Sequence, residues 1–228
     1  MEDGAEQDAE EGAGRIPRDT LALLNRAEGN LSAWWSKYGN RAAFDLAVGM
    51  LGGKYELAAE GIDLGLSKRH TGGAKFNSCY WSSAKAFLTN NDLSGATYTE
   101  GVLVAYNMRP DRSRGVSRGR CSLAVELEGY LRLADGRVVD PVALVNAERR
   151  AIGSPTAVLE SAVYVPIKEF SREEVADRWD EIPLSLAGPR GVARTVAVLE
   201  DVLGTFDATM AAARTARWQG RARWAPPR

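Results

Sequence analysis

The sequence predicts an α+β fold: an antiparallel sheet faced by a cysteine-bearing helix, with a helical N-terminal region and a long C-terminal helix. Two patterns lead to this prediction. Residues 121–143 alternate apolar and polar side chains with the period of two of a β-strand, and they contain the turn pair Asp135-Gly136. Residues 192–213 place their apolar side chains three and four positions apart, as an amphipathic helix does.

The central stretch is a predicted β-hairpin. One face of its first strand holds Leu123, Val125, Leu127, Gly129, Leu131 and Leu133, and the other holds Glu126, Glu128, Tyr130 and Arg132. Asp135-Gly136 favours a tight turn, because both central residues of that turn need positive φ. The return strand ends at Asp140-Pro141, since proline lacks a backbone N–H. The hairpin therefore carries acidic groups on a polar face and presents Asp140 at its end.

The residues before the hairpin are predicted to form mainly helices. The pattern becomes helical at Asp19, and the pairs Gly29-Asn30 and Gly39-Asn40 indicate breaks between short helices. Further helices are predicted over Arg41–Leu51, over Lys54–Leu66 and from Ser78 to Leu88, with a strand over Tyr98–Tyr106 and loops over Ser67–Asn77 and Arg109–Arg120.

After the hairpin we expect a strand over Ser161–Ile167 that Pro166 ends, and a helix from Ser171. The chain then divides into four regions. These are a disordered acidic tail (1–15), a helical N-terminal region (16–66), the α+β core (67–190), and an amphipathic helix with a basic tail (191–228).

The last helix leaves two alternatives open. Its apolar residues are Val192, Val196, Leu199, Leu203, Phe206, Met210 and Ala213, which alternate spacings of four and three as a heptad seam does. One alternative is an amphipathic helix packed on its own domain. The other is self-association, so that a homo-oligomer forms through the 192–213 helix.

Charge and composition argue against several classes of protein. A formal net charge of −1 gives no overall attraction to nucleic acid or to an anionic membrane. No apolar run is long enough to span a membrane, and the acidic N-terminus is unlike a signal peptide. Two cysteines do not make a disulfide framework, so we expect a cytoplasmic protein. With one histidine besides, a zinc site is not expected, and we expect no cofactor.

The basic end of the chain, Arg214–Arg228, interleaves Trp218 and Trp224 with five arginines. Such a segment can grip phosphates and stack on bases, bind the acidic tail of a neighbouring copy, or remain solvated. Because short basic tails predict nucleic-acid binding poorly, we do not expect a nucleic-acid partner.

Four short motifs follow one another in a recognisable order. They are Asn77-Ser78-Cys79-Tyr80-Trp81, Tyr98-Thr99-Glu100-Gly101, Asp135-Gly136-Arg137-Val138-Val139-Asp140-Pro141 and Tyr164-Val165-Pro166-Ile167. This order resembles that of the papain-like and transglutaminase-like thiol superfamily, in particular its small bacterial and phage members. The resemblance covers roughly residues 75–170.

The resemblance implies a nucleophile at Cys79 and an orienting carboxylate at Asp140. In this superfamily a thiol near a helix N-terminus is deprotonated by a histidine on the next strand, which the carboxylate orients. The position of that histidine is occupied here by Glu128, in Glu128-Gly129-Tyr130. An ionised glutamate beside the thiol opposes thiolate formation, since like charges raise a thiol pKa. The ordinary triad is therefore broken.

Other residues bear on the site, and each has a plain structural alternative. His70, the one histidine, either folds over the thiol as a substitute base or stays solvated in its loop. Asn77 either donates to an oxyanion or caps the helix. Cys79 is either the nucleophile or a small buried side chain, and Asp140 either serves the site or caps its turn. Cys121 is expected to serve packing.

Two functions follow from these residues. The first is a degenerate member of the superfamily, inactive or weakly active, that binds a peptide or protein partner as part of an assembly such as a phage particle. The alternative is an active thiol hydrolase or acyl transferase that attacks peptide or amide bonds with Cys79.

Overall fold

The computed structural model describes residues 17–38, 41–52, 78–109, 120–144 and 158–222, and within these ranges it has the α+β fold that the sequence predicts. The helices are α1 (Arg18–Tyr38), α2 (Arg41–Met50), α3 (Ser78–Thr89), α4 (Arg172–Asp177) and α5 (Gly188–Ala222). The strands are β1 (Thr97–Arg109), β2 (Arg120–Arg132), β3 (Val138–Val139) and β4 (Val158–Phe170).

The strands form one antiparallel sheet in the order β3-β2-β1-β4. The predicted hairpin is confirmed, because Leu131 of β2 pairs with Val139 of β3. The turn between them has Gly136 at φ +86°, a conformation that glycine adopts without a steric cost. The two strands of the hairpin differ in length. Strand β3 pairs only with Leu131 and Arg132, so the rest of that edge of β2 has no pairing with β3.

Each strand alternates between two buried faces. The face that α3 covers belongs to the main core, with Val102 of β1 beside Leu127 of β2 and with Phe87 of α3. The opposite face carries a smaller cluster that includes Leu103, Tyr130 and Tyr164. The face of β2 that was expected to be polar is therefore buried in part: Glu128 is 5% exposed and Tyr130 is 2% exposed, whereas Glu126 is exposed and Arg132 is half-buried.

Strand β4 is longer than the sequence predicts. Pro166 does not end it: the strand continues to Phe170, and the pairing with β1 shifts register between Glu100 and Gly101. Proline is tolerated because β4 is the last strand at its edge of the described sheet and the ladder is irregular at this point. Ser171 then caps α4, as expected, in a capping box with Glu174.

Helix α1 also departs from the prediction, because it runs without a break through Gly29-Asn30. A glycine inside a helix costs about 1 kcal/mol, which the packing of Leu24 and Ala27 in the core outweighs. The predicted end of α2 is confirmed, with Gly52 at φ +102°. The acidic tail, the predicted helix over Lys54–Leu66 and the loops over Ser67–Asn77 and 110–119 lie outside the described residues.

Helix α5 packs along α1 and α2, and its ring contact between Phe206 and Phe44 measures 6.3 Å between centroids. Leu199, Leu203 and Phe206 of the apolar seam are buried within the chain. The first alternative for this helix, packing on its own domain, therefore accounts for these three residues. None of the described helices combines the length and the apolar character that a membrane span requires.

The buried carboxyl group of Glu100 fastens the segment before α5 to the sheet. Its oxygens accept hydrogen bonds from the Tyr98 hydroxyl (2.9 Å), the Leu184 N–H (2.8 Å) and the Ser185 N–H. At the other side of the core, Arg172 donates to the carbonyls of Phe87 and Asn90 and so caps the end of α3. These polar contacts fix α3 and α5 against the strands.

Candidate functional site

The close approach of α3 to β2 positions the site. A Cβ atom added at Gly129 would lie 2.7 Å from the Tyr80 Cα, so only glycine at this position lets the helix backbone pack so closely. Tyr80 and Ala84 of α3 are buried in the core beneath. Cys79, the second residue of α3, is thereby held against β2.

Two side chains of α3 contact backbone carbonyl groups along the edge of β2 that β3 does not cover. The Ser83 hydroxyl donates to the Gly129 carbonyl at 2.6 Å, and the Cys79 Sγ lies 3.9 Å from the Leu127 carbonyl oxygen. Leu127 and Gly129 are two residues apart, so their carbonyls point to the same side of the strand. Because β3 reaches only Leu131 and Arg132, this edge is open to α3.

Glu128 lies between these two carbonyls along the chain, and its side chain interacts with the thiol of Cys79. Burial, then the neighbouring acids Asp140 and Glu126, raise the pKa of Glu128 well above its ordinary value. Burial therefore favours the protonated form of the group at the expected base position. Its Oε1 atom is buried and has no hydrogen-bond partner among the residues that the structure describes.

The thiol of Cys79 is also held in its neutral form. Burial raises its pKa well above the ordinary 9.0, and the nearby Glu128 raises it further, followed by Asp140. The helix N-terminus favours thiolate by about 0.3–1 kcal/mol, which is less than the 1.36 kcal/mol of one pKa unit. The helix dipole therefore does not offset the combined effect of burial and the acids, and the thiol is not activated.

Asp140 is occupied by hydrogen bonds of its own. Its Oδ1 accepts the N–H groups of Val142 and Ala143, each at 2.9 Å, and its Oδ2 accepts the Tyr164 hydroxyl at 2.7 Å. The Oδ1 contacts cap the helical turn at residues 141–144, which is the structural alternative foreseen for this residue. Burial nevertheless raises the pKa of Asp140, because it outweighs these stabilising contacts.

Sequence reasoning missed two tyrosines. Tyr164 holds Asp140, and its ring lies 4.8 Å from that of Tyr130, centroid to centroid. Tyr80 is buried, and its hydroxyl group has no hydrogen-bond partner in the described parts of the chain. The alternation of β2 and β4 places Tyr130 and Tyr164 on defined faces. Their contact depends on the pairing of both strands with β1, which the sequence does not reveal.

The remaining sequence-predicted residues have different outcomes. His70 and Asn77 lie outside the described residues. Cys121 pairs with Met108 in the ladder between β1 and β2. Among the residues that the structure describes, no three histidine, cysteine, aspartate or glutamate side chains are grouped to hold a metal ion.

A separate cleft of about 450 Å³ lies at the opposite end of α3. It is lined by Phe87, Ser94, Ala96, Thr97, Glu169, Phe170, Ser171, Arg172 and Glu173. Its cation, Arg172, is engaged with backbone carbonyls, and none of the lining residues belongs to the thiol site.

Comparison with known proteins gives no relative for this chain: no family model, no curated protein and no solved structure matches it.

Proposed function

We propose that this protein is a degenerate member of the papain-like and transglutaminase-like thiol superfamily that binds a peptide or protein partner instead of cleaving one. The observation that carries the proposal is the buried Glu128 carboxyl group beside the Cys79 thiol, where burial and the neighbouring acids raise the pKa of both groups. A thiol enzyme needs a thiolate and a base that becomes positive, and a carboxyl group cannot become a cation.

The engagement of Asp140 supports the same conclusion. An orienting carboxylate must accept a hydrogen bond from the base, but the described hydrogen bonds of Asp140 come from Tyr164 and from the turn that follows it, and none joins it to Glu128. Losing one member of a catalytic triad lowers the rate on the order of 10⁴-fold.

We place the protein in an assembly, such as a phage particle, and in the cytoplasm, on the grounds given by the sequence. Self-association through the 192–213 helix remains a prediction. Since Leu199, Leu203 and Phe206 are buried within one chain, a second copy would have to contact the partly exposed Val192 and Val196.

Hydrolysis assays test the proposal. An activated ester and a peptide amide are incubated with the natural protein, with Cys79→Ala and with His70→Ala. We expect the three rates to be equal, because no thiolate forms. Turnover that disappears in Cys79→Ala would overturn the proposal and favour the alternative, a thiol hydrolase or acyl transferase. Survival of that turnover in His70→Ala would identify Glu128 as the working base.

A further inference from the structure

Two carboxyl groups are buried on neighbouring strands, and only one of them is fully satisfied. Glu100 accepts hydrogen bonds from Tyr98, Leu184 and Ser185, whereas the Oε1 atom of Glu128 accepts none from the described residues. Buried polar atoms in native proteins almost always have a partner, so this carboxyl oxygen has the capacity to accept one further donor. Glu128 is therefore available to a group that is not part of the described chain.

The neighbourhood of Glu128 is acidic. Asp140 and Glu126 are the charged groups that act on it, and the Cys79 thiol and the hydroxyl groups of Tyr80 and Tyr164 are titratable groups that also interact with it. Elsewhere in the chain acids are paired with arginine, as in Arg132–Glu169 at 2.6 Å and Arg137–Asp135 at 2.7 Å. Within the described residues neither Glu128 nor Asp140 has such an ion pair.

We infer that Glu128, with Asp140 behind it, binds a cationic nitrogen group of a ligand, a guanidinium or an ammonium, beside the partly exposed side chain of Cys79. A cation would supply the donor that the Oε1 atom lacks and would neutralise the acidic cluster in one step. The inference rests on the proposed function, because it treats the site as a binding site and not as a catalytic one.

The cation would come from an arginine side chain, a lysine side chain or a free peptide N-terminus, and a set of short peptides separates these sources. The probes are blocked pentapeptides of glycine with a central arginine, lysine or citrulline, and pentaglycine amide with a free N-terminus. Citrulline keeps the shape of arginine without its charge. Full-length protein is titrated with each peptide by calorimetry, in two buffers that differ in ionisation enthalpy.

We expect at least one cationic peptide to bind and the citrulline peptide not to bind. Because the cation favours ionised Glu128, binding should release a proton, which appears as a heat that differs between the two buffers. Glu128→Gln should weaken binding roughly ten- to a hundredfold, the usual effect of losing a hydrogen bond to a charged group. The control, Glu200→Gln on the exposed face of α5, should bind within about twofold of the natural protein.

Several results would overturn the inference: no binding of any cationic peptide, equal binding of the citrulline peptide, or unchanged affinity in Glu128→Gln. Circular dichroism shows whether Glu128→Gln is folded. If it is not folded, the calorimetry of the natural protein in the two buffers tests the inference instead. Binding without proton release would exclude Glu128 as the acceptor. If the peptides do not bind, the inference about Glu128 fails, but the hydrolysis assays still stand as the test of the proposed function. If turnover depends on Cys79, the proposed function fails, whatever the calorimetry shows.

Discussion

At the scale of single residues, the two buried glutamates show how hydrogen bonding separates a structural acid from a candidate binding group. Glu100 is paired across the sheet with Gly129, and Glu128 is paired with Gly101, so the two side chains lie on opposite faces. Hydrogen bonds to two backbone N–H groups and a hydroxyl hold Glu100. Glu128 interacts with the thiol of Cys79, and its Oε1 atom has no hydrogen-bond partner among the described residues.

Glu100→Gln is expected to destabilise the fold. An amide has a single oxygen, so its NH₂ group would face the N–H of Leu184 or Ser185 and leave one of them unsatisfied. The expected loss is about 1–3 kcal/mol in the free energy of unfolding, measured by urea denaturation at pH 7. The control Glu169→Gln removes a half-exposed pair with Arg132 and should cost no more than about 1 kcal/mol. Equal losses would show that Glu100 does not fasten this segment.

The stability of the protein should fall as the pH rises, and Glu128 should account for part of that fall. Its pKa is higher in the folded state than in the unfolded chain, so the folded state binds the proton more tightly. The stabilisation is complete below the unfolded pKa near 4.5 and is lost as the pH rises through the folded pKa. Glu100 and Asp140 act in the same direction, because their pKa values are raised as well.

Urea midpoints measured from pH 4 to pH 9 check this expectation. Glu128→Gln should match the natural protein at the acidic end, since glutamine resembles the protonated acid, and should exceed it at the alkaline end. Replacing one titrating group reduces the dependence of the free energy of unfolding on pH by up to about 1.4 kcal/mol per pH unit. Parallel curves for the two proteins would mean that Glu128 is already ionised in the fold.

At the scale of elements, the approach of α3 to β2 depends on a single glycine. Gly129→Ala should destabilise the fold by about 1–3 kcal/mol, because the new Cβ would meet the Tyr80 backbone. Gly204→Ala is the control: nothing lies within 4 Å of its Cβ, and alanine in an exposed helical position should stabilise by about 0.5–1 kcal/mol. Urea denaturation measures both. A neutral Gly129→Ala would mean that α3 does not need this contact.

The hairpin could be predicted from the sequence because its signals are local. Asp135-Gly136 sets the turn, and the alternation of β2 sets its faces. The length of β4 and the continuity of α1 could not be predicted, since Pro166 and Gly29 are tolerated only because of where the sheet and core place them. The roles that the motif order implies for Cys79, Glu128 and Asp140 stay predictions. The raised pKa values of these three groups could not be predicted, because they depend on burial, which the tertiary fold produces.

At the scale of the whole molecule, α5 closes the core over α1 and α2. Replacing Leu199 and Leu203 with aspartate should unfold the protein, because both side chains are buried and a charge there has no partner. The control places aspartate at Ala197 and Ala208, which are exposed on the same helix. Circular dichroism and sedimentation measure fold and mass. A folded Leu199→Asp, Leu203→Asp variant with a smaller mass than the natural protein would instead show that the seam joins two copies.

The central claim is that Cys79 is a neutral thiol beside an acid, and the pH dependence of its alkylation tests that claim most directly. Iodoacetamide labelling of Cys79 is followed from pH 6 to pH 11 in a Cys121→Ser background. We expect the rate to rise with a midpoint above the ordinary 9.0, and to fall back toward that value in Glu128→Gln. A midpoint below about 7.5 would contradict the account, because it would show the activated thiolate of a working enzyme.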